Sequence, residues 1–86
     1  MRIEYSKAAA KYINNLDRNM KQRIKTAIEG LTQTPPQGDI KLLQGYTDGR
    51  KRLRVGKYRI IYIYLPNGEI QILYIINIDS RGDVYK

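Results

Sequence analysis

Residues 50–65 read RKRLRVGKYRIIYIYL, and the way this stretch pairs with itself decides how the chain folds. Gly56-Lys57 lies between two runs rich in β-branched and aromatic residues, with glycine in the first central position of a two-residue hairpin turn. The flanking strands run from Arg50 to Val55 and from Tyr58 to Leu65. This turn sets Val55 opposite Tyr58, Arg54 opposite Arg59, Leu53 opposite Ile60 and Arg52 opposite Ile61. Paired residues share a face of the sheet, and successive residues alternate faces. Leu53, Val55, Tyr58, Ile60 and Tyr62 therefore make one face, which is the core face. Arg50, Arg52, Arg54 and Arg59 collect on the other, beside Ile61 and Ile63.

Downstream, Pro66-Asn67-Gly68 predicts a type I turn followed by a left-handed glycine, then a third antiparallel strand from Glu69 to Ile78. Carrying the alternation across that turn adds Ile70, Ile72, Tyr74, Ile76 and Ile78 to the core face. It puts Gln71, Leu73 and Ile75 beside the arginines. Upstream, MRIEY reads as a short strand. Ser6 caps a helix through Ala8, Ala9, Ala10, Tyr12, Ile13 and Leu16. Asp17 caps a second helix, whose Met20, Ile24, Ala27, Ile28 and Leu31 recur with helical period. Gly30 marks its end, and TPPQGD is a loop. Two helices joined by almost no linker make an antiparallel hairpin. The expected architecture is α+β, a single domain over residues 1–86, with the hairpin packed on one face of a mainly antiparallel sheet of about four strands.

Eighty-six residues with 42% hydrophobic content support one modest core. With no cysteine there is neither a disulfide nor a thiolate metal site, and with no histidine the usual metal ligand and acid/base group are missing. A metal-dependent nuclease is therefore not expected, and no cofactor is implied. No apolar run approaches the roughly 18 residues of a membrane span, and MRIEYSKAAAKY has no apolar signal core. A soluble, cytoplasmic protein without a membrane partner is expected.

The net charge of +8 is uneven. Residues 1–40 carry +3, residues 41–59 carry +6 and residues 60–86 carry −1. A surplus concentrated in one hairpin suggests a polyanionic partner. Basic strands can instead serve only to keep a sheet edge soluble, which accounts well for Lys51 and Lys57. It accounts poorly for four guanidinium groups on one face, because solubilising surfaces mix both signs. Arginine offers a planar fork of donors suited to phosphate oxygens and stays charged at any working pH. Arg54 directly opposite Arg59 is a destabilising arrangement that an anion would relieve. RNA carries its own nucleophile in the 2′-hydroxyl, so such a site can cleave by alignment and charge stabilisation, or bind without cleaving. Beside the arginines, Ile61, Ile63, Leu73 and Ile75 form an apolar strip. A helix or terminal segment of the chain can cover it, or an acidic amphipathic partner protein can satisfy strip and arginines together.

At these residues the chain resembles the RelE/ParE toxin superfamily of bacterial toxin–antitoxin pairs. The resemblance spans nearly the whole length: the N-terminal strand, the helical hairpin, KLLQG at 41–45, RLRVGKYRIIY at 52–62 and SRGDVYK at 80–86. It implies a ribosome-dependent endoribonuclease that cuts messenger RNA in the A site of the 70S ribosome without a metal, leaving a 2′,3′-cyclic phosphate. By that likeness the catalytic set is Arg50, Arg52, Arg59, Arg81 and Tyr85. Arg59 and Arg81 would stabilise phosphate charge, Arg50 and Arg52 would orient the RNA and assist proton transfer from the 2′-hydroxyl, and Tyr85 would stack on or position the substrate. Arg54, Lys51 and Lys57 would add RNA contacts, or Arg54 would pair with Asp83 or the terminal carboxylate. The resemblance also implies a cognate antitoxin. The chain departs from the family pattern at Lys51, where relatives often carry an aromatic or apolar residue, and at Asp79-Ser80, where many carry histidine. It also has arginine where related toxins have a strand lysine, which leaves the general base open. The ParE branch of the same fold inhibits DNA gyrase and cleaves nothing, and a degenerate member would only bind its antitoxin.

Overall fold

The computed structural model describes residues 1–80. The chain runs β1 (Arg2–Tyr5), α1 (Lys7–Asn14), α2 (Arg18–Gly30), β2 (Asp39–Leu42), β3 (Lys51–Val55), β4 (Tyr58–Asn67) and β5 (Ile70–Asp79). Both helices start where the capping residues predict. Ser6 Oγ accepts from the Ala9 N–H at 3.0 Å, and Asp17 Oδ1 accepts from the Met20 N–H at 2.8 Å. α1 buries Ala9 and Ile13, and α2 buries Ile24 and Ile28. Tyr64 donates its hydroxyl to the Leu31 carbonyl at 2.7 Å, which satisfies one of the acceptors that the end of α2 leaves open. No helix among the described residues is long and apolar enough to cross a membrane.

The sheet has five strands in the order β1-β5-β4-β3-β2, one more than expected. The extra strand is β2, whose Asp39 ends the expected TPPQGD loop and whose next three residues carry no expected element. It pairs antiparallel with β3, Asp39 opposite Arg54 and Lys41 opposite Arg52. Its four residues DIKL are mostly exposed, so little hydrophobic patterning marks them, and the free edge of β3 supplies the hydrogen bonds that make them a strand. β1 adds to the far side of β5 in parallel, so the sheet is mixed. The chain thus begins at one edge, crosses the sheet as the helical hairpin, and returns strand by strand from the other edge.

The β3–β4 hairpin has the expected register at every pair: Val55–Tyr58, Arg54–Arg59, Leu53–Ile60 and Arg52–Ile61. Gly56 has φ 59°, as a two-residue turn with glycine first requires, and no non-glycine residue among the described residues has positive φ. The β4–β5 hairpin differs from the reading in two ways. Asn67 pairs with Ile70, so its turn is Gly68-Glu69, one residue later than expected. A bulge then follows: Ile61 pairs with Asn77, the next pair is Tyr62 with Ile75, and Ile76 is left unpaired.

The bulge shifts the alternation along β5. Leu73 and Ile75, expected on the arginine face as part of the partner-contacting strip, are fully buried in the helix-side core with Ile24, Ile28, Leu53, Ile60 and Tyr62. Ile72 and Tyr74, expected in the core, share the opposite face with Leu65 and Ile63, their partners on β4. Ile70 lies at the exposed turn end. Ile78, beyond the bulge, keeps its expected place and is buried opposite Ile60. One inserted residue is enough, because a shift of one position turns every side chain of a strand over.

Candidate functional site

The helices cover one face of the sheet, and the arginines lie on the other. Register builds a row across four strands: Asp39 on β2, Arg54 on β3, Arg59 on β4 and Asp79 on β5. The next row is Lys41, Arg52, Ile61 and Asn77. The like-charged pair Arg54–Arg59 is therefore flanked at both ends by carboxylates, which offsets the repulsion expected from sequence.

Arg59 donates from Nη2 to Asp79 Oδ2 at 3.2 Å. Its Nε and Asp79 Oδ1 are buried with no hydrogen-bond partner among the described residues. Arg52 donates from Nη1 to the Asp39 carbonyl at 3.2 Å and lies 3.6 Å from Asp39 Oδ1. Arg54 is exposed and makes no ion pair among the described residues.

Arg50 is held differently. It reaches Asp48 Oδ2 with Nη2 at 2.7 Å, contacts both carboxylate oxygens with Nε at 3.1 Å, and stacks over the Tyr46 ring at 4.1 Å. The hydrogen bond from Arg50 holds the Asp48 carboxyl below its ordinary value, and the same bond raises the guanidinium. Lys51 and Lys57 are not with the arginines. Lys51 alternates onto the helix side, where its Nζ sits 5.6 Å from the Tyr64 ring centre. Lys57 Nζ sits equally far from Tyr58, itself edge-on to Tyr12 of α1.

Of the expected site residues, register thus brings Arg52, Arg54 and Arg59 together on one face and leaves Arg50 at its margin in a loop pair. Ile61 is buried on the arginine face at 8% exposure, and Ile63 is half-buried there. Arg81, Asp83 and Tyr85 lie outside the described residues. Sequence reading missed the aspartates. Asp48, two residues before Arg50 in a TDGR turn, was within reach of a local argument. Asp39 needed β2, and Asp79 needed the pairing of β4 with β5.

Chemically, the face offers two guanidinium groups from adjacent strands to one anion, with a third beside them. Parallel donors of this kind suit the non-bridging oxygens of a phosphodiester.

The sequence model of ParE toxins of type II toxin–antitoxin systems, parDE, matches residues 3–85. Among solved structures, a YoeB/ParE toxin from Agrobacterium tumefaciens is 21% identical over 93% of this chain and 98% of its own, with a TM-score of 0.78. The RelB–RelE antitoxin–toxin complex from Methanococcus jannaschii contains a chain 27% identical, covering 95% of this chain and 94% of its own at a TM-score of 0.64. The RelBE2 toxin–antitoxin complex from Mycobacterium tuberculosis matches at 20% identity, 93% and 96% coverage and a TM-score of 0.68. No curated protein sequence matches significantly.

Proposed function

The chain belongs to the ParE toxin family of type II toxin–antitoxin systems, within the RelE/ParE superfamily, and from that premise we propose that it is a ribosome-dependent messenger-RNA endoribonuclease. The observation that supports this reading is the pairing of Arg54 with Arg59 on the sheet face opposite the helices, with Arg52 beside them.

In this reading Arg54 and Arg59 hold the scissile phosphate and the charge that builds on it, and Arg52 orients the strand. Arg81 and Tyr85 would complete the site from the C-terminal segment. The 2′-hydroxyl gives up its proton and its oxygen bonds to the adjacent phosphorus. The bond from phosphorus to O5′ breaks, and O5′ takes up a proton. The products are a 2′,3′-cyclic phosphate and a 5′-hydroxyl. Arginine supplies orientation and electrostatic stabilisation here, since a guanidinium stays protonated at any working pH and is a poor proton acceptor.

An acidic, amphipathic antitoxin would silence the chain by covering the arginines together with Ile61, Ile63, Ile72 and Tyr74. The solved RelB–RelE and RelBE2 relatives are antitoxin–toxin complexes. A second reading, inhibition of DNA gyrase, is favoured by the family model, which is that of ParE toxins.

Primer extension on a defined message with purified 70S ribosomes and a programmed A site tests the proposal. Cuts at the A site by wild type, absent with Arg59→Ala, are the expected result. No cleavage by folded wild type, together with inhibition of gyrase supercoiling, would replace this reading with the second.

A further inference from the structure

Three arginines each have an aspartate, and the pairs differ in kind. Arg50–Asp48 is a closed staple of three short contacts on a stacked tyrosine. Arg59–Asp79 is one contact of 3.2 Å that leaves Arg59 Nε and Asp79 Oδ1 buried and unpartnered among the described residues. Arg52–Asp39 is looser still at 3.6 Å, the hydrogen bond going to the backbone carbonyl instead. A pair built for stability would use the parallel donors of the guanidinium fork. Neither of these two does, and both are partly exposed, the condition in which an ion pair contributes least.

We propose that Asp79 and Asp39 are resting counter-ions of the phosphate-binding arginines, which weaken the binding of free RNA while leaving the face able to grip a phosphate presented at close range. The inference rests on the reading of these arginines as phosphate ligands. The row Asp39–Arg54–Arg59–Asp79 sums to zero charge, which leaves the long-range attraction of the face to the neighbouring Lys41 and Arg52 and so weakens it. The short-range donors do not cancel, because hydrogen bonds depend on contact geometry rather than on net charge. A diffusing strand therefore meets a weaker field than the arginines alone would set up. A phosphate held in place by a larger assembly can exchange with the loosely bound carboxylates.

The test is equilibrium binding, by fluorescence anisotropy, of a labelled 2′-O-methyl oligoribonucleotide, which cannot be cleaved through its 2′ position. Wild type, Asp79→Asn, Asp39→Asn, Asp39→Asn/Asp79→Asn, Arg59→Ala and Arg59→Ala/Asp79→Asn are compared, each checked for folding by circular dichroism. Asp79→Asn is expected to bind about two- to fivefold tighter at low salt, and the double asparagine variant about tenfold tighter. The salt dependence should steepen by about 0.7 in log–log slope for each phosphate newly neutralised. The gain from Asp79→Asn should shrink in the Arg59→Ala background. Unchanged or weaker binding by folded Asp79→Asn overturns the inference, as does an equal gain without Arg59, which would mark a bulk charge effect. If Arg59→Ala weakens binding while Asp79→Asn changes nothing, only this inference fails. If wild type and Arg59→Ala bind alike, the reading of the arginines as phosphate ligands fails with it.

Discussion

Ser6 donates its hydroxyl proton to the carbonyl of Ile76 at 2.7 Å, at the residue that β5 carries in excess of β4. The Ser6 N–H donates to the neighbouring Ile75 carbonyl at 2.9 Å, and Ser6 Oγ also caps α1. One side chain thus starts the helix and satisfies the bulge that decides which face of β5 is buried.

Ser6→Ala should cost about 2–4 kcal/mol, the sum expected for a lost N-cap and an unsatisfied part-buried carbonyl. Ser6→Thr, which keeps the hydroxyl, should recover most of it. Urea unfolding followed by circular dichroism measures both, and equal stability of Ser6→Ala and wild type would refute the double role.

Two neighbouring tyrosines should respond in opposite ways to loss of the hydroxyl. Tyr64→Phe removes the bond to the Leu31 carbonyl and should destabilise by about 0.5–1.5 kcal/mol. Tyr62→Phe removes a hydroxyl that is buried without a partner among the described residues, and should be neutral or stabilising. Thermal melts of the two variants, run side by side, decide the matter.

Leu73→Ala and Ile75→Ala should each cost about 2–5 kcal/mol, because both side chains are fully buried. Ile63→Ser and Ile72→Ser, on the uncovered face, should cost far less and act instead on partner binding. A stability series over these four variants reports the bulge directly. The reverse ranking would mean that β5 pairs in the unbulged register.

Arg50→Ala should reduce A-site cleavage much less than Arg54→Ala or Arg59→Ala. The Arg50 guanidinium is already committed to Asp48 and Tyr46 and serves the loop rather than the face. Cleavage rates on programmed ribosomes measure this, and equal losses at all three positions would put Arg50 back in the site.

With no histidine, stability should be nearly flat from about pH 6 to 9. Burial holds the Tyr62 phenol well above its ordinary value of 10.0, so the fold favours the neutral form. Such a group contributes stability that is fully present below its unfolded value and is lost as pH rises towards the folded one. Stability should therefore fall above about pH 10, and less steeply in Tyr62→Phe, read as melting temperature against pH.

The local features were legible in the chain because neighbours in sequence determine them. Ser6 and Asp17 cap helices whatever surrounds them, and the Gly56-Lys57 turn sets the β3–β4 register by itself. That register alone places Arg52, Arg54 and Arg59 on one face. β2 was not legible, because DIKL has no strong pattern of its own and becomes a strand only by pairing with β3. The bulge at Ile76 was not legible either. Strict alternation of Ile70, Ile72, Tyr74, Ile76 and Ile78 is the simplest reading of β5, and only the packed helices and Ser6 select the other.

The chain by itself determined both helices, the first hairpin and the gathering of the arginines, since each depends on contacts a few residues apart. The tertiary structure decided which face of β5 enters the core and which acids stand beside the arginines. Those outcomes join Ser6 to Ile76, Asp39 to Arg54 and Arg59 to Asp79. Side chains so far apart in sequence can influence one another only once the sheet has brought them into register.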